Sequence, residues 1–133
     1  MDGLVAGQKG AHTRNRWGVP SRVLRNATTY DIPEPVMRHV VRRDKSCVYC
    51  KLRFRIGARS RNNLASWEHM DDYSIRHPKK WNIALCCGSC NASRGSKGLA
   101  EWFDSAYCKN NNISRQTVAP VVRRYLGRGL RGL

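Results

Sequence analysis

The chain has 133 residues, 41% of them hydrophobic, and carries 25 Lys and Arg against 9 Asp and Glu, for a formal net charge of +16. That size suits one domain with extensions, and the charge points to a polyanion partner, nucleic acid ahead of an anionic membrane because no long amphipathic stretch is present. No run approaches the ~18 apolar residues of a spanning helix, and the first residues lack the apolar core of a signal peptide, so a cytoplasmic site of action is expected, where six cysteines favour metal over disulfides.

Residues 1–30 are polar and basic, with Arg14, Arg16, Arg22 and Arg25, and read as an N-terminal arm that orders on DNA. The stretch "DIPEPVMRHVVRRDKSC" then predicts a helix ending near Arg43. Asp31 would be its N-cap, its prolines fall in the opening turn, and Val36, Met37, Val40 and Val41 recur at helical spacing.

After Cys50, Leu52, Phe54 and Ile56 alternate with Lys51, Arg53 and Arg55, the period of a half-exposed strand, and "RNN" turns into a second strand from Leu64 to His69. "KGLAEWFDSAYCKN" places Leu99, Trp102, Phe103 and Ala106 on one face, predicting one amphipathic helix stopped by "NNNIS". In residues 111–133, Val118, Val121, Val122, Tyr125 and Leu126 predict a last helix with Thr117 as cap, Pro120 in its first turn, Gly127 as stop and a loose basic tail. The rhythm of these two helices also admits a helix-turn-helix reader of DNA, set against a helix that packs on the core or on a second subunit.

Two Cys-x-x-Cys knuckles, Cys47–Cys50 and Cys87–Cys90, let four thiolates close a tetrahedral shell around one structural Zn²⁺. Cys87 rather than Cys86 keeps the two-residue gap to Cys90. Cys86 and Cys108 read as small buried hydrophobes.

Between and after the knuckles stand the adjacent pair Glu68-His69, then Asn82, then Asn91 directly behind Cys90 in "CNASRGSKGL". In type, order and interval these residues resemble the HNH nuclease family, in an H-N-N form, over residues 31–110. The resemblance implies an α+β fold, a small zinc-stapled ββα-metal domain with the arm before it and helices after it. It implies hydrolysis of DNA phosphodiesters in a bacterial or phage-infected host.

In the family the carboxylate equivalent to Glu68 binds the catalytic ion, Asn91 would complete that site, and Asn82 orients the loop carrying the histidine. Hydrolysis needs a base poised near neutrality, and a histidine with a pKa near ~6.5 supplies it, which makes His69 the proton acceptor. Oxygen ligands suit Mg²⁺ or Mn²⁺. Neighbours in a strand point to opposite faces, so a bulge or a strand end must re-aim Glu68 or His69 if both serve one phosphate.

Arg94 and Lys97 are candidates for phosphate contacts, against solvated surface charge. The family's Asp is here Glu68, and its Gly-rich loop is replaced by "MDDYSIRHPKKW", in which Asp71 and Asp72 read as a polar turn ahead of a further metal ligand. His12, His39 and His77 lack partners at ligand spacing, and Trp67 and Trp81 read as core. One site per chain makes one nick, so a double-strand break needs a homodimer or two encounters. The competing expectation is a non-catalytic zinc module that only binds nucleic acid.

Overall fold

A computed structural model describes residues 21–54 and 64–131, so the expected arm over residues 1–20 and the stretch carrying Ile56 lie outside it. The remainder of the expected arm is helix α1, Ser21–Thr29. Val23 and Ala27, one turn apart, are buried against the sheet. The helix closes with Ile32 N–H bonded to Ala27 O at 2.9 Å and Asp31 N–H to Thr28 O at 3.0 Å, Asp31 taking φ 56°. Asp31 therefore terminates α1 and does not cap the next helix. Helix α2, Glu34–Arg43, starts behind Pro33, without a side-chain cap and with proline in its first turn.

Among the described residues the sheet has two strands, β1 (Ala65–His69) and β2 (Ile83–Cys87), antiparallel, with Ala65 opposite Cys87 and His69 opposite Ile83. The strand expected from Leu52 is not formed over its described part; an isolated Ser46–Arg53 bridge stands there instead. The partner of β1 is β2, which shows no polar alternation because both of its faces are covered. Ile83 and Leu85 join Val23, Val40, Val41 and Trp67 on one side, whereas Ala84 and Cys86 join Tyr49, Trp102, Val118 and Val122 on the other.

The connection between the strands holds a short helix α3, Tyr73–Arg76, where a turn was expected. Helix α4, Gly88–Arg94, follows β2 directly and ends at Gly95, whose φ of 55° suits a residue without Cβ. The single helix expected over "KGLAEWFDSAYCKN" is two, α5 (Leu99–Phe103) and α6 (Ala106–Asn110), because Ser105 Oγ accepts the Cys108 N–H at 3.2 Å and starts a new helix. Helix α7, Pro120–Arg131, begins with the expected proline but runs through Gly127 and Gly129, since each glycine weakens a helix by only about 1 kcal/mol. Thr117 caps a preceding turn, accepting the Ser114 N–H at 2.9 Å.

Val118, Val121 and Val122 are buried with Trp102, and Ala119 N–H reaches Val48 O at 2.8 Å. The C-terminal segment is thus part of the core, and the apolar side of α7 is not available to a separate reading head. The result is a small mixed α/β domain with helices on both faces of a hairpin. None of its described helices is long and apolar enough to cross a membrane.

Candidate metal centre and hairpin site

The Sγ atoms of Cys47, Cys50, Cys87 and Cys90 lie within 4.8 Å of one another. A tetrahedral shell with Zn–S bonds of ~2.3 Å has edges of ~3.8 Å, and the Cys50–Cys87 sulfur separation is 3.7 Å. The donor set therefore fits Zn²⁺. Backbone geometry supports it: Cys47 Sγ accepts the N–H groups of Tyr49 and Cys50, both at 3.4 Å, and Cys87 Sγ accepts that of Cys90 at 3.5 Å while capping α4.

Contact with Cys47 lowers the Cys50 thiol to about 7, whereas contacts with the other three sulfurs raise that of Cys90. Burial raises the thiols of Cys86 and Cys108, which keep their protons and pack as apolar side chains. Cys87 and not Cys86 belongs to the four-sulfur cluster, the register that the knuckle spacing predicts, and Cys86 packs in the core.

The hairpin brings the other candidates to one end of the sheet and then divides them. No bulge interrupts the register of β1. Glu68 faces the knuckle side, and His69, the last residue of the strand, is half-buried with its ring edge-on to Tyr30 at 5.5 Å. Burial lowers the His69 pKa from 6.5, and the nearby Glu68 charge only partly opposes this, so the imidazole is neutral at pH 7.

Behind His69, Met70 N–H bonds to Asn82 O at 3.1 Å. The fully buried Asn82 side chain accepts the Lys79 N–H at 2.8 Å and donates to His77 O at 3.1 Å, which ties down the loop between the strands. Such a buried amide has all its bonds to backbone, so its work is positional.

Arg94 is the main correction. Expected at the surface facing phosphates, it is 7% exposed and turned inward. Its Nη1 donates to Glu68 Oε2 at 2.5 Å, its Nη2 to Met70 O at 2.8 Å and its Nε to Lys97 O at 2.9 Å. The Tyr49 hydroxyl, set between the two cysteines of the first knuckle, donates to the same Glu68 oxygen. Burial would lower the Arg94 pKa, but Glu68 and Tyr49 together, by charge and hydrogen bond, outweigh it and the guanidinium stays charged.

Asn91 is exposed and lines a separate cavity of about 630 Å³ with Ser66 and Arg22. Glu68 Oε2 is held by a guanidinium and a phenol, Glu68 is not among the lining of the Asn91 cavity, and among the described residues no cluster of metal-ligating side chains includes Glu68, so the two do not fit the expected Mg²⁺ or Mn²⁺ site. Lys97 is exposed, as a phosphate contact requires, with Nζ 3.4 Å from Ser93 O. Asp71 spends its carboxylate within the fold, accepting the Ser74 N–H at 2.9 Å and the Tyr125 hydroxyl at 2.6 Å.

Tyr49 was not singled out in the sequence. Its one visible signal is an aromatic residue placed inside a metal knuckle. Comparison of the chain with protein-family models, with curated proteins and with solved structures finds no match.

Proposed function

We propose that the chain is a zinc-stapled nuclease of the HNH kind that hydrolyses DNA phosphodiesters, with His69 accepting the proton of the attacking water. The observation that carries this reading is the hairpin running into a knuckle-capped helix, with a half-exposed, neutral imidazole at the hairpin's end and the Asn82 amide tying the loop behind it. The net charge of +16 supports a phosphate-rich substrate. Lys97, exposed on the surface after α4, would meet the DNA backbone. A break in both strands takes a second copy or a second encounter.

One contact favours a second reading, a zinc module that binds nucleic acid without cutting it. The Arg94 guanidinium sits on the carboxylate that the resemblance assigns to a divalent ion, so a fixed cation stands where a bound one was expected.

The test is zinc-loaded protein incubated with supercoiled plasmid, with and without added Mg²⁺ or Mn²⁺, beside the His69→Ala variant. Cleavage that falls by about 10²-fold or more in the variant is expected of a lost general base. Equal cutting by the two proteins discards the role of His69, and binding without any cutting selects the second reading. The fall of activity on acidification should lie at lower pH than an ordinary histidine would give, because the imidazole loses its proton-accepting form only once pH drops through the lowered pKa.

A further inference from the structure

The connection that leaves the hairpin at His69 carries a surface feature unused by the chemistry above. The Tyr73 ring, 52% exposed, stacks on His77 with centroids 4.5 Å apart and planes 27° apart. It also lies 6.4 Å from Trp81 at 18°, and the Arg128 guanidinium covers the Trp81 ring at 4.5 Å. Three near-parallel aromatic rings thus stand in series with Tyr73 in the middle, Tyr73 and His77 open to solvent and the half-buried Trp81 covered by a cation.

Aromatic rings of this size are ordinarily spent on the core. Here the loop is held rigid to keep them outside. Asn82 bonds to the backbone of His77 and Lys79, and Arg43 donates to Lys80 O at 2.6 Å. The same loop presents Arg76, Lys79 and Lys80, all exposed, and of its acids Asp71 is engaged by Ser74 and Tyr125. A flat π-surface ringed by cations is the chemistry that receives an unpaired nucleotide, base on ring and phosphate on Lys or Arg.

We propose that Tyr73, His77 and Trp81 form a stacking platform for unpaired bases of a nucleic acid strand. The site would make the protein prefer single-stranded or locally opened DNA over intact duplex. A paired base has both faces occupied by its neighbours and cannot reach the platform, whereas an unpaired one loses little on leaving its stack. This inference rests on the nucleic-acid reading above but not on catalysis.

The experiment uses the zinc-loaded His69→Ala chain with no added divalent ion, so that binding is measured without cleavage. Anisotropy is recorded with a labelled oligo-dT of about ten nucleotides, within the usual site size, and with a blunt duplex of the same length. Introducing Tyr73→Ala should weaken oligo-dT binding about tenfold, in the range of one lost base stack, and leave duplex binding within about twofold. Tyr73→Phe should retain the preference. Lys79→Ala should instead weaken both substrates and reduce the salt slope by about one unit. Equal losses on both DNAs with Tyr73→Ala, or none on oligo-dT, overturn the platform while leaving the nuclease reading to its plasmid test. Failure of the parent chain to bind either DNA overturns both.

Discussion

The two faces of the hairpin are secured by different means. On one side α1 and α2, of nine and ten residues, lay Val23, Val40 and Val41 against Ile83, Leu85 and Trp67, with the Trp67 indole N–H satisfied by Val23 O at 2.7 Å. That layer holds by apolar burial. On the other side α5 and α6 have five residues each, far below the length at which a helix is stable alone, and they pack with the knuckles around Trp102. The longer α7 adds Val118, Val121 and Val122 to this layer, and a metal held by the four sulfurs would cross-link its short pieces. The contrast teaches that the cysteine cluster lies where the helices α5 and α6 are shortest and not where the apolar core is thin.

The strongest way to break this contrast is to strip the metal. Structural zinc contributes about 10 kcal/mol or more of apparent binding energy, comparable with the whole stability of a small domain. Chelation, or Cys87→Ser, should therefore abolish the cooperative melt followed by circular dichroism, and zinc analysis of the intact chain should give one ion. An unchanged melt after metal removal would mean that the knuckle side stands by packing alone.

Next in size is Arg94→Ala, which strands the buried Glu68 charge and should cost about 3–5 kcal/mol in denaturant unfolding. A loss below about 1 kcal/mol would show that the pair is not part of the knuckle-side scaffold. The smallest effect expected is Val40→Ala on the aliphatic side, about 2 kcal/mol from lost burial and a residual cavity. Its zinc content should stay at one per chain, which sharpens the separation of the two layers.

Patterns of residue type and interval carried much of this into the sequence. The four clustered cysteines, the exclusion of Cys86, the strand ending at His69 and the helix ending at Arg43 were all legible, because each depends on local spacing. What was not legible depends on cover from afar. β2 was hidden because a strand buried on both faces loses its alternation, while Leu52 and Phe54 showed an alternation that no partner strand rewards. Helix α1 looked like a basic arm because its polar residues outnumber the two that matter, Val23 and Ala27. Arg94 read as a surface cation since nothing local reveals that Glu68, Met70 O and Lys97 O converge on it.

Tyr49 has a consequence for how the protein fails. It is one residue from a sulfur ligand on one side and in contact with the Glu68 carboxylate on the other, and its hydroxyl proton is held all the more firmly for being buried. Oxidation of the thiolates would unseat this phenol and leave the acid and its guanidinium without their lid. Damage to the cysteine cluster would thus reach the buried Glu68–Arg94 pair through a single side chain.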